Sequence, residues 1–315
     1  RERKRRLQAL RQQKDQPTVV ATEAFLREVY GADHPYGRPA EGTEASVAAI
    51  TRDHVAAFYA TWYRPDNAFL VVAGDVTETR LAPVLERAFA GWTQGPVPAV
   101  AQAVPPRPAP ASTRVVLIDK PGAAQSEIRV GHAGAARLVP DYHDLLVLNA
   151  ALGGAFTSRI NLNLREQRGF TYGARSTWDF ARGDGAFVAS AGVFTAKTDS
   201  ALAEFVRELR DAAGARPFTA EETAYAGGSL VRQYPLRLET GAQVAALVAD
   251  LAFFGLPASE IAAYPRRLEA VTPASVARAA ARLEPANLAI VVVGDVATIR
   301  PGIEALGLGP VEVRP

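Results

Sequence analysis

Cysteine and methionine are both absent from this sequence. Without cysteine there is no disulfide, no thiolate metal site and no thiol nucleophile. The compartment stays open between bacterial periplasm and cytoplasm, with the periplasm the preferred expectation. The missing methionine, initiator included, fits a fragment. Charge of one sign is not in excess either: 35 basic residues stand against 33 acidic ones. A net charge of +2 gives no reason to expect nucleic acid or an anionic membrane as partner. No apolar run reaches the ~18 residues of a membrane span, so no transmembrane segment is expected. The Arg-rich start has no apolar core behind it and is not a signal peptide. Histidine is scarce, with His34, His54, His132 and His143 alone. No two are spaced i, i+4, and neither H-E-x-x-H nor H-x-x-E-H occurs. A zinc site needs about three protein ligands, so each histidine is expected to serve structure: one in a turn, two on helices, one ending a strand. There is no G-x-S-x-G elbow and no phosphate-binding glycine pattern.

What is present begins with a repeat. Asn67–Val76 reads NAFLVVAGDV and Asn287–Val296 reads NLAIVVVGDV. A helical pattern precedes each, TRDHVAAFYATWYRP and TPASVARAAARLEP. A spacing of about 220 residues is far too long for a solenoid unit and suggests a duplicated domain. If the copies are equally long, the first lacks roughly a hundred residues at its front, and the chain starts inside a domain.

At 315 residues and 48% hydrophobic content, two domains are expected. Residues 1–94 form the C-terminal part of a first half. Residues 95–112, GPVPAVAQAVPPRPAPAS, form a Pro- and Ala-rich linker. Residues 113–315 form a complete second half. In the first half the pattern predicts a charged helix over 1–13, a helix over 22–30 ending at Gly31, a turn-rich loop over 31–43, and helices opening at Thr43 or Ser46, at Thr51 and at Thr77. It also predicts an apolar strand, Phe69–Ala73. In the second half it predicts strands over 114–119, 126–132, 171–180, 185–193 and 288–293. The ARGDG segment marks a hairpin. Helices are expected over 142–152, 158–167, 198–213, 219–234, 240–254, 259–271 and 272–283. Strands grouped before helices argue for an α+β fold, each half a β-sheet with helices packed on one face.

One segment offers chemistry. In Leu164–Gly173, LREQRGFTYG, Arg165 lies in the last turn of a helix, Gly169 breaks it, and Tyr172 lies in the returning strand. That turn can bring a guanidinium and a phenol, both hydrogen-bond donors, to one surface. The spacing alone is explained as well by a basic residue at a helix C-terminus and a half-buried strand tyrosine.

Taken together, YGADHPYGRPAEGT, FYATWYRPDNAFLVVAGDV, LGGAFTSRINLNLREQRGFTYGARS and NLAIVVVGDV resemble the pitrilysin and mitochondrial processing peptidase family of zinc metallopeptidases. The resemblance covers nearly the whole chain, with the motifs in the family's order. It implies duplicated α+β halves facing each other across a closed chamber. Active members carry H-x-x-E-H in the first half, a stretch this chain does not contain, and a glutamate ligand further on, seven residues after another glutamate. The resemblance sets Glu2 at the preceding glutamate and Ala9 at the ligand position, within Glu2-Arg3-Lys4-Arg5-Arg6-Leu7-Gln8-Ala9. A methyl cannot coordinate zinc, and losing one of three protein ligands strongly weakens a catalytic site. Glu23 and Glu28 are out of register for that role. Arg165 and Tyr172 match the family's Arg–Tyr pair, which helps hold substrate near the scissile bond.

The expectation is therefore a non-catalytic subunit with no catalytic or metal residue of its own. It would form a heterodimer with a homologous subunit that carries the zinc, and bind a peptide or unfolded polypeptide. One alternative is a self-sufficient zinc metalloendopeptidase whose H-x-x-E-H lies in the missing front. Another is a structural, core-type subunit without a proteolytic role.

Overall fold

The structure is a computed structural model that describes residues 1–98 and 112–314. Most of the linker expected over 95–112 therefore lies outside the described residues. The first part is helical: α1 (Glu2–Gln13), α2 (Pro17–Tyr30), α3 (Glu44–Ala49), α4 (Arg52–Trp62) and α5 (Glu78–Phe89). The second part runs β1 (Arg114–Asp119), β2 (Gln125–Ala133), α6 (Tyr142–Asn149), α7 (Arg159–Asn161), β3 (Thr171–Trp178) and β4 (Ala186–Phe194). Then come α8 (Thr198–Arg210), α9 (Ala220–Gln233), α10 (Gly241–Phe253), α11 (Glu260–Glu269), α12 (Pro273–Ala279), β5 (Ala289–Gly294), α13 (Val296–Ala305) and β6 (Val311–Arg314). The α+β class expected from the order of elements is what the chain adopts.

Threonines start many of these helices for one reason. At Thr43, Thr51, Thr219, Thr240 and Thr272 the hydroxyl accepts a hydrogen bond from the amide three residues on, and that residue's side chain accepts from the threonine amide. Each such cap satisfies orphan amides and contributes about 1 kcal/mol.

The strands form one six-stranded sheet in the order β3-β4-β2-β5-β1-β6. β1 pairs in parallel with β5 and β6, and the other neighbours are antiparallel. β5 lies between β1 and β2 and is buried along its whole length, as its unbroken apolar run requires. The main core lies between one sheet face and the helices of the second part, with Leu117, Ile128, Leu145, Leu152, Phe187 and Phe205 fully enclosed. On the opposite face α2 lays Phe25, Val29 and Tyr30 over Val116, Ala133, Ala289 and Val291. Burying Phe25 alone stabilises this contact by about 2 kcal/mol.

Two features depart from the sequence reading. Residues 69–73 form no strand. They carry no regular secondary structure, and Phe69, Leu70 and Val72 are exposed, with no other strand beside them among the described residues. After β5 the chain adds α13, whose start is signalled by the strand-ending Gly294–Asp295 turn, and β6, which the sequence pattern does not signal. Pro301 and Gly302 blur the helical pattern of α13, and β6 is short and charged, as an edge strand tends to be. The stretch Tyr142–Gln167 has the length and apolarity of a membrane span. It is bent between α6 and α7, however, and its Leu145, Leu148, Leu152, Ile160 and Leu164 belong to the core.

Candidate substrate-binding site

The site is built where the bent helical stretch hands over to the sheet edge. After α6 the helix loosens into a π-turn, Ala150–Gly154, and after α7 into a second, Leu162–Gln167. Gly153 is needed in the first because a Cβ there would sit 2.5 Å from the Ser176 amide of β3. The close approach leaves Ser176 Oγ donating to Asn149 Oδ1 at 2.8 Å. That is a packing reason for Gly153–Gly154, and it uses no anion.

Arg159 anchors α7. Its side chain is only 7% exposed and donates from Nε and Nη2 to the two oxygens of Glu222, both at 2.7 Å. Nη1 donates to the Arg216 carbonyl and Nη2 also to that of Pro217, and the guanidinium lies 3.9 Å over the Phe218 ring. These hydrogen bonds hold the Glu222 carboxyl well below its usual range, at about 2.

Six residues on, Arg165 occupies the second π-turn. Its guanidinium lies 4.5 Å over the exposed Phe156 ring and 3.4 Å from Glu166, and its side chain stays 35% exposed. Gly169, at φ +64°, then reverses the chain in a conformation that favours glycine. β3 follows as an edge strand with a bulge between Thr171 and Ala174. The Thr171 hydroxyl spans the bulge, donating to the Gly192 carbonyl at 2.6 Å and accepting from the Gly173 amide at 3.1 Å. The bulge turns Tyr172 outward, where it is 79% exposed and packs edge-on against Phe194 at 6.1 Å.

No hydrogen bond joins Arg165 to Tyr172; each rests on its own aromatic neighbour. Among the described residues the Tyr172 hydroxyl has no hydrogen-bond partner. The tyrosine is fully outward rather than half-buried. The role of Phe156, exposed in the AFTS turn, had no signal in the spacing, since cation–π pairs across a bend carry no sequence period.

Ala9 is half-buried on α1, and Glu2, exposed at its start, pairs with Arg5 at 2.7 Å. Glu28 is held by Arg314 at 2.8 Å. Glu23 lines a cleft of about 790 Å³ between α1, α2 and the 37–45 segment. There burial, and then the charge of Glu41, push its carboxyl upward. Among the described residues no three His, Asp or Glu side chains gather into a metal-sized group. The described residues therefore offer no group that fits a zinc ion.

The histidines are structural. His34 Nδ1 accepts from the Tyr36 amide, and its ring stacks on Tyr30. His54 completes the cap at Thr51. His132 accepts from the Glu284 amide and packs on Phe187. His143 Nε2 is buried without a partner, and burial, aided by Arg267 and Arg137, holds its imidazole down at about 4. Asp295 caps α13, accepting from the Thr298 amide.

Comparison with known proteins agrees with this architecture. The family model described as the peptidase M16 inactive domain matches residues 49–227. An uncharacterized zinc protease of Streptomyces coelicolor is 30% identical over 243 residues, which cover 75% of this chain and 52% of that protein. The chain spans about half the length of the curated relatives it matches. The crystal structure of a peptidase M16 inactive domain from Pseudomonas fluorescens superposes with a TM-score of 0.84 at 23% identity, over 93% of this chain and 68% of that one. A chain of complex III2 from Candida albicans superposes at 0.76 with 13% identity, over 96% of this chain and 73% of that one. At these identities the two structures show a common fold.

Proposed function

The chain belongs to the peptidase M16 inactive domain family, and from that footing we propose that it is the non-catalytic subunit of a two-part zinc metallopeptidase. A homologous partner subunit carries the zinc, and with it supplies the Lewis acid and activated water of peptide hydrolysis. This chain closes the peptide chamber and holds an extended polypeptide through Arg165 and Tyr172.

The observation that carries this reading is a pair of solvent-accessible donors carried by one bend and the edge strand that follows it. Tyr172 stands 79% exposed at a sheet edge, while Arg165, stacked on Phe156 and 3.4 Å from Glu166 through Nε, keeps its side chain 35% exposed. A bulged edge strand that presents donors suits an extended peptide, whose carbonyls accept hydrogen bonds. Donors held in place before the peptide arrives cost no reorganisation when they engage it. The methyl of Ala9 and the absence of a metal-sized carboxylate group among the described residues support assigning the metal to the partner.

The test is turnover of a peptide by the mixed complex. Arg165→Ala should lower it ~10-fold or more, as losing a donor worth about 1–3 kcal/mol implies. Normal turnover in the Arg165→Ala complex, or stoichiometric zinc with peptidase activity in this subunit alone, overturns the proposal.

A further inference from the structure

Between Arg165 and Tyr172 lies one side chain that touches the supports of both. Asn161 ends α7 and is 4% exposed. Its Nδ2 donates to the carbonyl of Phe156 at 2.7 Å, and its Oδ1 accepts from the amide of Ala174 at 3.1 Å. Phe156 is the residue whose ring lies under the Arg165 guanidinium. Ala174 is where β3 regains its register after the bulge that turns Tyr172 outward. A single planar amide therefore fixes the distance between the Arg165 platform and the Tyr172 bulge.

The position invites an apolar residue. Its neighbours Ile160 and Leu164 are fully enclosed in the core, and a buried amide is costly unless both ends are hydrogen-bonded. Here one end is spent on each flank of the site. We propose that Asn161 is the positioning residue of the substrate-binding pair, acting on Arg165 through Phe156 and on Tyr172 through the β3 bulge. The inference rests on the reading of Arg165 and Tyr172 as substrate donors.

The two arms separate by substitution. Asn161→Asp keeps an acceptor for the Ala174 amide and loses the donor to Phe156, so it frees only the Arg165 arm. Phe156→Leu removes the ring from beneath Arg165 at an exposed position, 63% accessible, and keeps the carbonyl that Asn161 holds.

The experiment is anisotropy of fluorescein-labelled, reduced and carboxymethylated lactalbumin binding to the mixed complex. Thermal midpoints are recorded alongside. Phe156→Leu should weaken binding about 3-fold, the scale of an exposed cation–π contact, with an unchanged midpoint. Asn161→Asp should weaken it about 5-fold or more. Combined with Arg165→Ala, it should cost nothing further; combined with Tyr172→Phe, its effect should add. If Arg165→Ala itself binds normally, the proposed function falls and this inference with it. If Arg165→Ala weakens binding but Phe156→Leu and Asn161→Asp bind as the unaltered complex does, Asn161 has no positioning role and the proposed function stands. Full additivity of Asn161→Asp with Arg165→Ala overturns the inference as well. Should Asn161→Asp fail to fold, Phe156→Leu alone decides, because its backbone contacts are intact.

Discussion

Replacing Arg159 by methionine keeps the stem of the side chain in its niche and removes the guanidinium. Four hydrogen bonds are lost: two to Glu222 and one each to the carbonyls of Arg216 and Pro217. The shift of the Glu222 carboxyl from 4.5 to about 2, owed first to Arg159 and in smaller part to Thr219 against the opposing effect of burial, sets the scale for the pair. At 1.36 kcal/mol per unit that is about 3 kcal/mol. The Glu222 side chain is 34% exposed, so water screening lowers its share to ~1–2 kcal/mol. Two carbonyls stripped of a charged donor add about 1 kcal/mol each. Release of the desolvated guanidinium offsets part of this. The expected net cost at pH 7 is about 3 kcal/mol.

Urea unfolding followed by circular dichroism measures it, and pH gives an internal control. The folded pKa of Glu222 lies below its unfolded value. The pair's contribution is therefore fully present above pH ~4.5 and is lost as pH falls through about 2. The stability gap between the unaltered protein and the Arg159→Met variant should be flat from pH ~7 to ~5 and narrow below ~4.5. A cost under ~1 kcal/mol, or a gap that stays constant down to pH ~2.5, would refute the reasoning.

Two further outcomes follow from the same structure. His143 is held neutral with its imidazole at about 4. The unfolded chain therefore binds an extra proton below pH ~6.5, and with water screening of the partly buried ring about 1 kcal/mol of stability should disappear between pH ~7 and ~5; His143→Gln should flatten that loss in acid titrations of the thermal midpoint. Hydrogen exchange should divide the two copies of the repeat. The amides of residues 69–73 have no backbone acceptor among the described residues and should exchange fast, whereas those of 290–293, inside the sheet, should open only with global unfolding.

The legible parts of this protein were those governed by local rules. Threonine caps announced helix starts, ARGDG announced the β3–β4 hairpin, and the apolar run at 288–293 announced a buried strand. Gly169 announced the reversal between Arg165 and Tyr172. What stayed hidden depends on neighbours distant in sequence. Nothing local says that Asn161 meets Ala174 across a bend, or that α2 reaches the far face of the sheet through Phe25. The π-turns were hidden too, because an apolar period of 3.6 is hardly disturbed by a single extra residue. They set the direction in which Arg165 points, so the residue was legible while its aim was not.

The repeat makes the same point with two similar sequences. Ile290, Val291 and Val292 are completely buried because β1 and β2 pair with both edges of their strand. Phe69, Leu70 and Val72, in the matching copy, face solvent. The helices that precede the copies diverge in parallel: Val276 and Ala279 of α12 and Ala280 just after it are enclosed, while Val55, Phe58 and Tyr59 of α4 are exposed. The side chains left open on α4 are larger than those α12 hides, since aromatic rings stand where α12 has alanines. Local propensity is therefore not what separates the copies. A β-strand forms when flanking edges satisfy its amides and carbonyls, and residues 69–73 carry the composition of a central strand with no such edges among the described residues. The difference in burial measures how much of the fold at 287–296 is supplied by β1 and β2, and how little by the motif itself.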